Sequence, residues 1–297
     1  MSSRAYRLKP EEDAAAGLRR IASGRAEEAI ERLAAADGES LATAIHGARK
    51  DLKKLRALLR LLRRELGRDT FRAENRVYRE AGRLLSRSRD AEVKLATLRT
   101  LRDRAGDELP TATMLLWERV LEREREEIAG GGTKLDEATR LIGQGRDRIA
   151  GWELRVDGWK LLQPGLTETY REGRRAMRRA LAEPSVENVH RWRKRAKDHW
   201  YELRILREAW PPLLGATIAQ AHELTELLGE HHDLALLGED LRARGGIGER
   251  EPIEAAIAKR QEETIEAAAA RGRRIYAEKP KAFRRRIESY WLAWRSA

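Results

Sequence analysis

Two segments of the chain decide its fold: IHGARKDLKKLRALLRLLRREL at residues 45–66 and VHRWRKRAKDHWYELRILREAW at residues 189–210. They align without gaps at an offset of 144 residues, and five Arg or Lys positions are identical in both. A shorter match follows, LLSRSRD at 84–90 against LLGEHHD at 227–233. Internal repetition of this length indicates duplication of a structural unit. We therefore predict a single domain over residues 1–297 that consists of two related halves, 10–150 and 151–297.

Nearly the whole sequence predicts amphipathic helix, because apolar residues recur at three and four positions among Ala, Leu, Arg and Glu. The predicted fold class is all-α, with two related helical bundles arranged with pseudo-twofold symmetry around a basic groove or pore. Glycine and proline positions divide the chain into roughly nine or ten helices. The predicted breaks are Asp37-Gly38, Gly67, Gly130-Gly131-Gly132, Pro164-Gly165, Pro184-Ser185, Pro211-Pro212, Gly245-Gly246 with Gly248, and Pro280.

Composition points to an acidic partner and a reducing compartment. The chain has 61 Lys and Arg against 49 Asp and Glu, a net charge of +12, so a polyanion or an anionic surface is expected. It has no cysteine, which excludes disulfides, thiolate metal sites and thiol catalysis. The opening residues contain no signal peptide, and no window reaches the roughly 20 apolar residues of a membrane span. A cytoplasmic location is expected.

Each repeated segment predicts a helix with one apolar face and one cationic face. At 100° per residue, the basic side chains of each segment lie within a narrow arc, with leucines on the other side. The first cationic stripe is His46, Arg49, Lys50, Lys53 and Arg60. The second cationic stripe is His190, Arg193, Lys194, Lys197, Tyr201 and Arg204.

The stripes predict a binding surface for an extended phosphate-bearing anion. Residues 45–66 hold eight Lys or Arg against two acids, although like charges along one helix face repel each other. From His46 to Arg60 the stripe spans about 21 Å, longer than a single phosphate or mononucleotide. Arg supplies a planar fork for phosphate oxygens and Lys a mobile point charge. Six further arginines are candidates for the same surface: Arg171, Arg174, Arg175, Arg178, Arg19 and Arg20.

The pattern H-x-x-R-K-x-x-K is present twice, each time on a long predicted helix. Each copy is followed by a leucine pair and then by an Arg-Asp or His-Asp dipeptide. This arrangement resembles the CHAD family, the conserved histidine α-helical domain. The resemblance extends from about residue 10 to 295 and includes TYREGRRAMRRAL at 169–181. It implies two helical bundles around a basic channel, and binding of inorganic polyphosphate by the matching positions of both stripes. Tyr201 stands where the first stripe has Ala57, so the halves are not expected to contribute equally.

Several alternatives stay open at this point. Single-stranded nucleic acid presents a similar charge, although the tryptophans are expected to pack in the core rather than to stack on bases. A scaffold that grips acidic proteins or granule surfaces is a second alternative. His231, His232 and Asp233, with Asp240 and His222, suggest a metal site, but Arg89 aligns with His232 and cannot ligate a metal. The sequence contains no cofactor motif, and we expect a binding protein rather than an enzyme.

Overall fold

The computed structural model describes residues 4–36, 40–130, 134–244 and 249–296. For residues 87–89, 107 and 128–130 it describes the backbone and not the side chains. Within these ranges the chain forms eleven α-helices, joined in two places by 3₁₀ turns at Gly106–Glu108 and Arg207–Ala209. The all-α prediction is confirmed. The helices are α1 (Ala14–Ala34), α2 (Leu41–Leu61), α3 (Arg63–Leu84), α4 (Arg87–Ala105), α5 (Thr111–Gly130), α6 (Leu135–Ile149), α7 (Gly158–Ala182), α8 (Val186–Ile205), α9 (Pro211–Arg244), α10 (Glu251–Ile275) and α11 (Pro280–Arg295).

The helix order repeats along the chain in the way that the internal match suggests. α1 packs on α2 and α6, and in the second half α7 packs on α8 and α11. Likewise α4 packs on α5, and α9 packs on α10. In the alignment of the two halves, the single long helix α9 corresponds to both α3 and α4 of the first half. The first half leaves the helix at Leu85 and Ser86, whereas the second half stays helical through the matching residue Gly229. The twofold relation between the halves and the division near residue 150 stay predictions.

Most of the predicted breaks within the described residues are helix boundaries. The side chain of Ser185 accepts a hydrogen bond from the backbone N–H of Asn188 and so caps α8. Pro211 and Pro280 begin α9 and α11, where a missing N–H costs nothing. Gly67 bends α3 with a φ of 74°, a conformation that favours glycine. The predicted breaks at 37–38, 131–132 and 245–248 lie outside the described residues.

The prediction that a helix ends at Pro164-Gly165 is wrong, because both residues lie inside α7. Gly165 of this pair allows close packing between two helices and does not end α7. A Cβ placed on Gly165 would lie 2.0 Å from the carbonyl oxygen of Leu61, so only glycine lets α7 approach the end of α2 this closely. α7 thus continues through the proline and packs closely against α2.

Two hydrophobic clusters hold the helices together, and each draws residues from both sides of position 150. The larger cluster joins α1, α2, α3 and α6 to α7, α8, α11 and the first part of α9. The smaller cluster joins α4 and α5 to the second part of α9 and to α10. α2 and α8 contact each other directly, and α4 packs on α9. This arrangement places α2, α8, α9 and α4 around one cavity.

Gly165→Ala is expected to destabilise the protein by on the order of 3 kcal/mol, because the added methyl group must push the backbone of α2 away. Gly215→Ala is the matched control, since a Cβ there meets nothing within 4 Å and alanine favours helix. Urea denaturation of both variants gives the free energies of unfolding. An equal effect of the two changes would contradict the close contact between α7 and α2.

Candidate functional site

The two cationic stripes reach one cavity, with a volume of about 1150 Å³. α2 and α8 form one wall, and side chains of α4, α9 and α10 complete the lining. Eight residues of the two predicted stripes are brought together here: His46, Arg49, Lys50 and Lys53 from α2, and Arg193, Lys197, Tyr201 and Arg204 from α8. Residues of the two stripes thus share one concave surface, which we call the central cavity.

The central cavity is strongly positive. Ten Lys or Arg side chains line it against four carboxylates. All four carboxylates belong to α9, at Glu223, Glu226, Glu230 and Asp233, whose spacing places them on one face of that helix. The ten cations are Arg49, Lys50, Lys53, Lys54, Arg104, Arg193, Lys197, Arg204, Arg260 and Arg271.

Part of this charge is neutralised within the protein. Glu230 accepts hydrogen bonds from Arg104 at 2.6 Å and from Arg260 at 2.8 Å. Glu223 pairs with Arg271 at 2.6 Å. These ion pairs join side chains of α4, α9 and α10, away from the wall that α2 and α8 form. The acids therefore neutralise mainly one side of the cavity.

The wall of α2 and α8 contributes seven of the ten cations; Lys54 pairs with Asp51 at 2.7 Å, and four others have no carboxylate partner within the described part of the chain. Among the described residues, no carboxylate lies within ion-pair distance of Lys50, Arg193, Lys197 or Arg204. The guanidinium of Arg204 lies 5.0 Å from the ring centre of Trp200 and 5.5 Å from that of Tyr6, so two aromatic faces hold it in place. An anion that entered would meet preoriented donors.

The pKa of Lys197 reflects the excess of positive charge on the wall of α2 and α8. Burial and the neighbouring charge of Arg193 lower the pKa of its ammonium to about 8, although Glu226 and Asp233 act in the opposite direction. A lysine with a lowered pKa lies where positive charge is in excess and water is scarce. The site therefore favours a negatively charged ligand at neutral pH.

Three residues of the predicted stripes lie elsewhere. The Nε of Arg60 lies 2.9 Å from Oδ2 of Asp198, and Arg60 lines a second cavity instead of the central one. Lys194 is exposed outside the lining, and burial and Arg195 lower its pKa. His190 packs against His232 with ring centres 4.2 Å apart. The stripes predicted from the sequence therefore include residues that do not line the central cavity.

The six additional arginines also lie outside the central cavity. Arg19 donates to the carbonyl of Trp152 at 2.8 Å, and Arg20 binds Glu12 at 2.8 Å. Arg174 donates to the carbonyl of Tyr276 at 3.0 Å. These three side chains hold loops in place. Of the remaining three, Arg171 lines the second cavity, and Arg175 and Arg178 are exposed on α7.

Several lining residues are absent from the sequence-based prediction. Arg104, Arg260 and Arg271 belong to α4 and α10, which lack the repeated motif, so no sequence signal connects them to the stripes. His222 is exposed in the lining, with its ring centre 4.6 Å from that of Trp200. Asp233 also lines the cavity. The spacing of the four acids on α9, at three and four residues, is the sequence feature that indicates a shared acidic face on that helix.

The His-Asp cluster of α9 is dispersed over several contacts. His232 faces His190, and Asp240 accepts a hydrogen bond from Lys94 at 2.9 Å. Within the part of the chain that the structure describes, no group of three or more His, Asp or Glu side chains is arranged to hold a metal ion. The side chain of Arg89, which aligns with His232, lies outside the described side chains. No helix of the described residues is long and apolar enough to cross a bilayer.

Comparisons with known proteins agree with this architecture. The family model of the CHAD domain matches residues 24–242, well over half of the chain. The crystal structure of the CHAD domain from the plant Ricinus communis superposes with a TM-score of 0.64 and 17% identity, covering 94% of this chain and 97% of that one. At this identity the similarity concerns the fold. A comparison with curated proteins found no match.

We expect the stability of the protein to fall as pH decreases from about 6.5 to about 4. Burial lowers the pKa of His190 and of His232 to about 4, with the charge of Lys194 contributing to the first and His190 itself to the second. In this window the unfolded chain binds protons that the folded chain does not, so unfolding is favoured. Urea denaturation across this pH range gives the free energy of unfolding at each pH. We expect it to depend less steeply on pH in the double variant His190→Gln with His232→Gln than in the wild type. Imidazole NMR signals of these two residues that titrate near pH 6.5 would contradict the assignment.

Proposed function

This chain belongs to the CHAD domain family, and on that premise we propose that its central cavity binds inorganic polyphosphate without chemical turnover. One observation carries the proposal. The cationic side chains of α2 and α8, which repeat along the sequence, share a single cavity lined by ten Lys or Arg and four acids. A ligand that matches this cavity carries many negative charges along an extended backbone.

The chemistry of the lining suits phosphate. Arg49, Arg193 and Arg204 offer guanidinium forks that match two oxygens of one phosphate group. Lys50, Lys53 and Lys197 offer single charges on flexible stems, which adapt to successive groups of a chain. A linear phosphate polymer presents the same group at each repeat, so a mixture of both cation types can follow it without a fixed register.

Nucleic acid is the principal competitor, because its backbone carries a similar charge. Binders of single strands add exposed aromatic side chains on which bases stack. Trp200 and Tyr201 are the aromatic residues in the described lining, and Trp200 is already covered by Arg204 and His222. Tyr201 is buried, at 3% exposure. The cavity therefore offers little surface for base stacking.

A competition titration decides between the two ligands and a protein scaffold. Fluorescent long-chain polyphosphate is bound at physiological salt and displaced by unlabelled polyphosphate, single-stranded RNA or single-stranded DNA. We expect displacement by polyphosphate at concentrations at least tenfold lower in phosphate units. Equal displacement by RNA would favour the nucleic-acid alternative. Capture of acidic proteins that persists under saturating polyphosphate would favour a scaffold.

Replacement of Arg49, Lys53, Arg193 and Lys197 by Gln is expected to weaken polyphosphate binding at least about a hundredfold, because each change removes a charge-assisted hydrogen bond. The slope of log affinity against log salt concentration should become shallower by on the order of two to three. Fluorescence titration at several salt concentrations measures both quantities. The smaller variant K53Q/K197Q should already weaken binding tenfold.

The matched control removes four exposed cations outside the central cavity, Arg273, Arg274, Lys281 and Arg285. It changes the net charge by the same amount and should keep affinity within about threefold. Circular dichroism verifies the helix content of both variants. An equal loss in the control would show that net charge, and not the cavity, determines binding.

Polyphosphate affinity is expected to fall as pH rises above about 8, by up to about tenfold per pH unit. Lys197 loses its proton near pH 8 in the free protein, and a bound anion favours the protonated form, so binding takes up a proton in this range. Lys197→Arg keeps its charge and should flatten the dependence. Lys281→Arg, outside the cavity, should leave it unchanged. A wild-type profile that is already flat would show that Lys197 does not contact the chain.

A further inference from the structure

A second cavity, of about 710 Å³, lies where α2 ends and α3 begins. α7 and α11 complete its lining. No described residue lines both this cavity and the central cavity. Its cations are all arginines, namely Arg60, Arg63, Arg64, Arg68, Arg171 and Arg284.

Two glycines build this cavity. Gly67, with its φ of 74°, turns the chain inside α3 so that Arg63 and Arg64 before it and Arg68 after it border the same space. Gly165 brings α7 against Leu61 and so closes the opposite side. The cavity thus depends on backbone conformations that most side chains would disturb.

The arginines of this cavity are compensated only in part. Glu168 and Glu172 are the lining acids; Glu168 pairs with Arg171, and Glu172 pairs with Arg195 at 2.6 Å. Arg60 pairs with Asp198. For the other four lining arginines, no carboxylate of the described residues lies within ion-pair distance. These four are Arg63, Arg64, Arg68 and Arg284.

Two of these four arginines are positioned by neutral partners. The guanidinium of Arg63 lies 5.2 Å from the ring centre of Phe71, and Arg284 donates to the side-chain oxygen of Gln163 at 3.3 Å. Both contacts orient a guanidinium and leave its charge in place. The cavity therefore presents about four uncompensated positive charges.

The internal repeat does not reproduce this cavity. At an offset of 144 residues, Arg64 corresponds to Glu208, Gly67 to Pro211 and Arg68 to Pro212. Glu208 in turn binds Arg7 at 2.7 Å. The second half thus has an ion pair and two prolines where the first half has arginines and a turn.

We propose that this second cavity binds a compact phosphate anion of about four negative charges, a short linear polyphosphate. Arginine without lysine favours bidentate contacts to phosphate oxygens. The volume is within the range of small-molecule sites, and none of the described lining residues is aromatic, so nothing holds a nucleobase. The proposal does not rest on polyphosphate binding in the central cavity. It assigns Arg60 and Arg171 to a separate site.

Calorimetric titration with inorganic tripolyphosphate tests the assignment. Arg64→Gln with Arg68→Gln should weaken tripolyphosphate binding at least tenfold, since both side chains are exposed and their loss spares the core. The matched control Arg273→Gln with Arg274→Gln, exposed on α10, should change affinity less than twofold. Thermal unfolding and circular dichroism are expected to be the same for both variants.

A second pair of titrations separates this cavity from the central one. K53Q/K197Q should leave tripolyphosphate binding within twofold, and R64Q/R68Q should leave long-chain polyphosphate binding within twofold. Loss of tripolyphosphate binding only in K53Q/K197Q would overturn the proposal by placing the ligand in the central cavity. A tenfold loss of long-chain binding in R64Q/R68Q would overturn it by joining the two cavities in one path. Long-chain binding in wild type tests the proposed function independently.

Adenosine triphosphate provides the comparison for ligand class. We expect it to bind no more tightly than tripolyphosphate, because the cavity offers no stacking surface for adenine. Affinity for adenosine triphosphate more than tenfold higher, lost in R64Q/R68Q, would replace the proposed class by a nucleotide. Absence of tripolyphosphate binding to the wild-type protein would overturn the proposal altogether.

Discussion

Burial of one face of α2 and α8 holds the cations of the other face together. Leu52, Leu55 and Leu59 on α2 and Leu203 and Ile205 on α8 are exposed by 2% or less. Each fully buried side chain of this kind contributes about 1.5 to 3 kcal/mol, which exceeds the few tenths of a kcal/mol that neighbouring like charges cost on a helix. The helices cannot turn their positive faces apart without exposing leucine. The central cavity is a consequence of the core.

The placement of acids divides this positive charge into separate regions. Carboxylates on α9 neutralise the far side of the central cavity, and Asp198 on α8 holds Arg60 and Arg195 behind the stripe. Burial raises the pKa of Asp198, and the two arginines oppose this effect. The wall of α2 and α8 and the turn at Gly67 each hold cations that have no carboxylate within ion-pair distance among the described residues. The two anion sites proposed above rest on this pattern of pairing.

Sequence reasoning predicted the helical class and the helix boundaries at Pro184-Ser185, Pro211 and Pro280, since caps and prolines act on their immediate neighbours. It did not predict the breaks between α2 and α3, between α3 and α4, or between α4 and α5. It failed at Pro164-Gly165, where α7 continues through the proline and packs closely against Leu61. Eight stripe residues could be predicted for the central cavity, because helix periodicity gives the side on which they lie. Arg104, Arg260 and Arg271 could not, because α4 and α10 reach the cavity only through packing.

By itself, the sequence determined the all-helical class, the repeated amphipathic helices and the excess of positive charge. These properties depend on residue type and on spacing along one helix. Only the tertiary structure decided which cations share a cavity and which are neutralised. Arg60 and Lys197 belong to matching stripes, yet one binds Asp198 and the other faces the central cavity. The reason is that ion pairs and cavities form between residues far apart in sequence, where helix periodicity gives no information.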